Sequence, residues 1–409
     1  MTAPKLKVLL LTGALIAALT PALVAAQNAA QSKAGAPAAK AAAPAAKATA
    51  GPTAPAYYGS FRPVKNIFGQ PDVSGAWSNA SLTGLARAAT FGERNVLNTE
   101  EVRTREGQRA EDIAKSNART DPKLTTQEVN KTCDVRGFSG VGCGYNGGFV
   151  DPGTYVMRVH GEPRASFITY PANGQVPAPR AASTTIASLG AEEGEESLTR
   201  GGRGGAVAGR GGAAAGATPA TGRGGGAQRD GTQPENHPAA ERCIMFASGR
   251  GTLMLPTLYN NNIRIVQGKD SVAIWVEMVH DVRIVRLNGK HMTNGVREHM
   301  GDAIGHYEGN TLVVETKNFS ALDQIQNRSA ADLTLTERFT KVSPTRLLYQ
   351  FNVHSPANWD QDWGGEYEWQ ASDGVFEYAC HEGNYAFDGI LAGELVAIGQ
   401  QPRAPVTPR

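Results

Sequence analysis

Residues 262–290 read NIRIVQGKDSVAIWVEMVHDVRIVRLNGK. Branched and aromatic residues dominate its long runs, and GKD and NGK interrupt them as hairpin turns do. The same grammar continues through AIGHYE (303–308), TLVVETKNF (311–319), LTLTERFTKV (333–342), RLLYQFNV (346–353), EYEWQ (366–370) and FEYAC (376–380). EGN, SPT and SDG separate them. Leu347, Tyr349, Phe351 and Val353 fall on one face of a strand, and Gln350, Asn352 and His354 on the other, a repeat of two. About eight consecutive strands with short turns have exposed edges unless the sheet closes. The expected fold is therefore all-β: an antiparallel up-and-down β-barrel of the lipocalin-like kind over residues 236–400. A two-sheet β-sandwich is the alternative.

Outward from this stretch the signals change. PDVSGAW (71–77) suggests a strand, and Asn98 with Glu101 resembles a capping box ahead of a polar helix over residues 100–115. Residues 57–189 are expected to wrap the barrel as a belt. Residues 190–235 are dominated by Gly, Ala and Arg and read as a disordered insert. Their RGG repeats lack interleaved Phe or Tyr for base stacking and follow AEEGEE, so no nucleic-acid partner is expected. Residues 27–56 form an Ala/Pro-rich linker. Residues 1–26 have a Lys-bearing start, an apolar run at 8–19 and small residues before Gln27, the pattern of a signal peptide. The chain is expected in the periplasm or outside the cell, without stable membrane insertion. Its 40 Lys+Arg against 38 Asp+Glu argue against a polyanion partner held by net charge.

Four cysteines in an exported chain read as two disulfides rather than a metal site. Cys133 and Cys143 bracket a short Gly-rich loop, whereas Cys243 and Cys380 stand at the two ends of the strand-rich region. Local-plus-long is the favoured pairing of the three that are possible.

The runs ERCIMF, MLPTLYNNN, YNNNIRIVQ, EMVHDVRIVRLNGK, GHYEGNTLVVETKNF, LTERFTKV and EYACHEGNY, with PDVSGAWSNASLTGLAR before them, resemble a widespread family of exported, uncharacterised bacterial β-rich proteins. The resemblance covers about residues 70–180 and 236–395. It implies a shared fold and carries no mechanism.

Three places concentrate chemistry-capable side chains. In EMVHDVR (277–283), an unbroken strand would put Glu277, Asp281 and Arg283 on one face with Trp275, and His280 on the other. A bend near His280 would re-aim it. Read functionally, a carboxylate, an imidazole and a guanidinium line a cavity and move a proton; read structurally, Asp281 pairs with an arginine and the histidine is a core hydrogen-bond partner. At EYACHEGN (377–384), Tyr378, His381, Glu382 and Asn384 are candidates for one rim of a pocket, or for a polar strand end. Tyr259, Asn260 and Asn261 begin a YNNN run that either caps a turn or offers amides to a sugar.

The chain has no GxSxG elbow, HExxH, P-loop or dinucleotide fingerprint. No cofactor is expected; a divalent metal held by His280, His381 and a carboxylate lacks any supporting His pair. Two function classes remain. One is a barrel that binds and processes a small polar, carbohydrate or plant-derived molecule, as an acid/base hydrolase or lyase using Glu277, His280, Asp281, Arg283, His381 and Glu382. The other is a periplasmic binding module without catalysis, its ligand lined by Trp275, Tyr349, Phe351 and Trp369.

Overall fold

The computed structural model describes residues 61–116, 123, 125, 151–183, 231–237, 242–246, 252–257, 259–321, 323–380 and 384–400. The expected signal peptide and linker, residues 190–230 of the insert, Cys133, Cys143, His381 and Glu382 lie outside the described residues.

The strands begin with β1 (Gly75–Ser78), β2 (Arg158–Val159), β3 (Glu162–Pro163) and β4 (Ile168–Tyr170). The strand-rich half supplies β5 (Asn262–Gln267), β6 (Ser271–Val276), β7 (Val282–Leu287), β8 (Asp302–Glu308) and β9 (Thr311–Lys317). After the short hairpin β10 (Gln324–Ile325) and β11 (Arg328–Ser329) come β12 (Thr334–Ser343), β13 (Arg346–His354) and β14 (Trp363–Ala371). Two helices accompany them, α1 (Thr99–Ser116) and α2 (Tyr385–Ala397). The capping box forms at α1: the Asn98 and Glu101 N–H groups each donate to the other's side chain, at 2.8 and 2.9 Å.

The sheet closes. Strands β1, β5, β6, β7, β8, β9, β12, β13 and β14 pair in that order, and β1 returns to pair with β14. Among the described residues this makes a nine-stranded all-β barrel, with β4 as an extra strand on β14. The expectation of a purely antiparallel, up-and-down sheet is corrected at one seam. β7 and β8 are parallel, Val285 opposite Ala303, because residues 288–301 carry the chain back along the wall before β8 starts. A second correction concerns closure: β1, from the segment read as a belt, is a wall strand between β5 and β14. A third concerns FEYAC, which is irregular and leads into α2 rather than forming a last strand.

The two-residue alternation decides what faces inward. Cross-strand partners such as Phe339–Tyr349, Tyr349–Tyr367 and Leu347–Trp369 share the interior. Tyr349 lies 5.0 Å from Trp369 and 5.2 Å from both Tyr367 and Phe339, centroid to centroid. Residues 252–257 add a plug: Met254 donates its N–H to the Tyr349 hydroxyl at 3.4 Å, and its carbonyl accepts from the Tyr367 hydroxyl and the Asn79 amide. Small barrels are filled by side chains in this way. The cavity beside the plug, lined by residues 81–85, Phe167 and 255–257, measures about 20 Å³, room for roughly one water molecule. Three of the aromatic residues expected to line a ligand chamber thus pack on one another, and the fourth, Trp275, lies on the outer face opposite Val282.

Candidate functional site at one end of the barrel

EMVHDVR does not continue as one strand. The Val276 N–H donates to the Asp281 carbonyl at 2.8 Å, closing β6 and β7 into a hairpin around residues 277–281. Val279 and His280 take left-handed backbone angles, φ 55° and 50°. For a β-branched residue that conformation costs on the order of 1–3 kcal/mol and persists only where the surroundings impose it. Here Met278 and Val279 are buried, anchoring the turn, while His280 is left exposed at its edge.

This turn separates the predicted residues. Arg283 faces into the barrel, opposite Ile274. It is 1% exposed and pairs with Glu337, itself 0% exposed, whose other oxygen accepts from the Tyr349 hydroxyl at 2.8 Å. Burial pushes the Glu337 carboxyl and the Tyr349 phenol up from their usual values. Packed on all sides, this trio is an interior strut; by the alternation of β7, buried Asp281 lies on the same side of the strand as Arg283, with exposed Val282 between them.

Glu277 stays at the barrel end and is 4% exposed. Its two oxygens accept from the Asn260 and Asn262 side-chain amides at 2.7 and 2.6 Å, and the Phe376 N–H adds a bond of 3.2 Å. Two of the three consecutive asparagines therefore grip one carboxylate. Asn261 instead locks the loop, exchanging hydrogen bonds with the Thr257 backbone at 2.8 Å, as a turn cap does. The half-buried Tyr259 packs on the core and its carbonyl accepts from the Thr257 hydroxyl. His280 Nδ1 lies 3.2 Å from the Tyr378 carbonyl, and Asp281 Oδ2 accepts from the Phe246 N–H at 3.4 Å. The Cys243–Cys380 disulfide, Cα atoms 5.7 Å apart, fastens the segments bearing Phe246 and Tyr378 to each other. Asn384 contacts Cys243 Sγ at 3.5 Å.

Two residues missed by the sequence reading join this end. They are His299, in the crossover just before β8, and Asp323, in the loop after β9. His299 Nδ1 lies 2.8 Å from Asp323 Oδ1; the Asp323 side chain is 1% exposed and the imidazole 39% exposed. That hydrogen bond is the main cause raising the His299 pKa, with Asp281 adding to it and the Arg242 charge opposing it. Burial, in turn, pushes the Asp323 carboxyl up. Glu277, His280, Asp281, His299 and Asp323 are thus brought to one end of the barrel. An open cleft of about 370 Å³ is lined by Pro234, Arg242, Ile244, Asn384, Phe387 and Asp388, and the Arg242 charge acts on His299.

Compared with known protein families, curated proteins and solved structures, the chain matches none.

Other polar clusters serve the frame. Asp302 binds Arg286, His291 and the Met292 N–H at 2.6, 3.1 and 2.7 Å, which pins the crossover 288–301 to the outer wall. His160, at the β2–β3 turn, donates its backbone N–H to Glu368 at 3.1 Å. Arg164 lies 3.6 Å from Glu366, so this hairpin is docked on β14. Among the described residues no group of three His, Cys, Asp or Glu side chains is arranged to hold a metal ion.

Proposed function

We propose that this chain is an exported barrel protein that binds a small polar, hydroxyl-rich molecule at the barrel end carrying Glu277, not in a central chamber. The observation that carries the reading is the Glu277 cage. A carboxylate almost without solvent is held by two side-chain amides and one N–H, with no cation among the described residues in ion-pair contact. A buried charge is costly unless its surroundings are arranged for it, and here they form part of a strained turn whose histidine faces solvent. Such strain concentrates at functional sites. Export is supported by the signal-like N-terminal sequence and by the disulfide. No helix among the described residues is long and apolar enough to cross a membrane.

Titration calorimetry with a panel of oligosaccharides and aromatic esters tests this. Glu277→Gln and Asn260→Ala should each weaken binding of any ligand found by tenfold or more, while Tyr349→Phe in the interior should leave it unchanged. Loss of binding confined to the interior variant would reverse the assignment. A second reading, catalysis, is favoured by the His299–Asp323 geometry.

A further inference from the structure

We propose that His299 and Asp323 are the acid–base dyad of an ester-hydrolysing site at this barrel end, with Arg242 anchoring a carboxylate-bearing ester. The inference shares the barrel end with the binding reading but stands on different residues.

Three observations carry it. First, the dyad is paired as a catalytic imidazole is: a buried carboxylate takes Nδ1, leaving Nε2 as the other ring nitrogen of a side chain that is 39% exposed. This is the role a carboxylate plays in fixing tautomer and direction for a histidine base. Second, Asp323 Oδ2 is buried and has no hydrogen-bond partner among the described residues, although His299 takes Oδ1 and the backbone groups of Asp323 are paired. An unpaired oxygen on a carboxylate this deep is uncommon and calls for a specific explanation. Third, the Arg242 guanidinium, whose charge opposes protonation of the imidazole, lines the 370 Å³ cleft. Its hydrogen bond among the described residues goes to the Glu235 carbonyl at 3.4 Å, not to a carboxylate. Ile244 and Phe387 supply apolar wall to the same cleft, whose lining also carries the Asp388 carboxylate. A guanidinium beside apolar surface suits a small organic acid.

The step balances without a redox change. Water gives a proton to Nε2 as its oxygen bonds to the acyl carbon. The ester C–O bond then breaks, and the departing alkoxide takes the proton back from Nε2–H, leaving acid and alcohol. The charged groups acting on His299 are Asp323, Asp281 and Arg242. The imidazole is a base only above its own pKa, which the two carboxylates raise, so the rate should climb with pH through a midpoint above the ordinary histidine value.

The test uses the full chain with p-nitrophenyl acetate and mono-p-nitrophenyl succinate, the second carrying a carboxylate. His299→Ala and His299→Gln should each cut kcat/KM about a hundredfold or more, with thermal melts confirming that at least one of them is folded. Asp323→Asn should lower the rate and move the midpoint of the pH profile downward, which loss of packing alone would not do. Arg242→Gln should raise KM for the succinate ester at least tenfold more than for the acetate. Wild-type protein that hydrolyses neither ester, or histidine variants that keep the wild-type rate, would overturn the dyad. Binding at the Glu277 cage without hydrolysis would also overturn it, while leaving the binding reading in place.

Discussion

Arg283 occupies a position where the strand pattern calls for an aliphatic side chain, and it reaches Glu337 across the barrel interior. Removing one partner of a buried pair leaves the other charge unpaired, so Arg283→Ala should destabilise the protein by about 3–5 kcal/mol in denaturant melts. Replacing the trio together, Arg283→Met with Glu337→Leu and Tyr349→Phe, should cost far less, because desolvation offsets most of what such a pair contributes. The dyad gives a pH signature. A histidine pKa raised in the folded state adds stability below the unfolded value of about 6.5 that is lost as pH rises through the folded value. Asp323, also raised, contributes with the same sign over a lower window that begins near the unfolded aspartate value of about 3.9. Stability should therefore decline with rising pH through the histidine window, and Asp323→Asn, which removes the cause of the His299 shift, should flatten that decline in pH-resolved melts. Glu277, His280 and Asp281 were legible in the sequence because ionisable groups stand out in an apolar run. His299 and Asp323 were not. They are twenty-four positions apart in irregular segments, joined through the Glu298–Phe319 bridge, and no spacing rule encodes that contact.

β14 shows how an element's sequence fixes its neighbours. Gly364 and Gly365 let β4 lie directly on the strand, and a Cβ at Gly365 would run into the Phe167 carbonyl. Gly365→Ala should displace β4 and cost roughly 1–3 kcal/mol as overpacking does, measurable by urea denaturation. Strands β5, β9, β12 and β13 were readable from their branched and aromatic runs bounded by turn residues. The hairpin at 277–281 was not, since EMVHD contains no Gly, Pro, Asn or Ser and places left-handed angles on Val279 and His280. Burial of Met278 and Val279 overrides the local preference. The parallel β7–β8 seam escaped because NGK reads as a hairpin turn, whereas the chain runs on to residue 301 and Asp302, with Arg286 and His291, holds that stretch as a crossover.

At the scale of the whole molecule, a strand from the N-terminal half and a disulfide near the C-terminus close one fold. The Cys243–Cys380 bond spans 137 residues, and closing a loop that long constrains the unfolded chain by about 5 kcal/mol. The double variant Cys243→Ser/Cys380→Ser should therefore melt well below the wild type, and it should also loosen the Phe376 and Tyr378 contacts to the Glu277 turn. With its interior filled by Tyr349, Phe351, Tyr367, Trp363 and Trp369, the barrel is a rigid scaffold that presents chemistry at one end. Ligand-induced chemical-shift mapping tests this most directly, using a mixture of hydroxylated small carboxylic acids and histidine- and tryptophan-labelled protein. The account predicts shifts at the His280 and His299 imidazoles with the Trp363 and Trp369 indoles unmoved; shifts at those interior indoles with both imidazoles silent would contradict it.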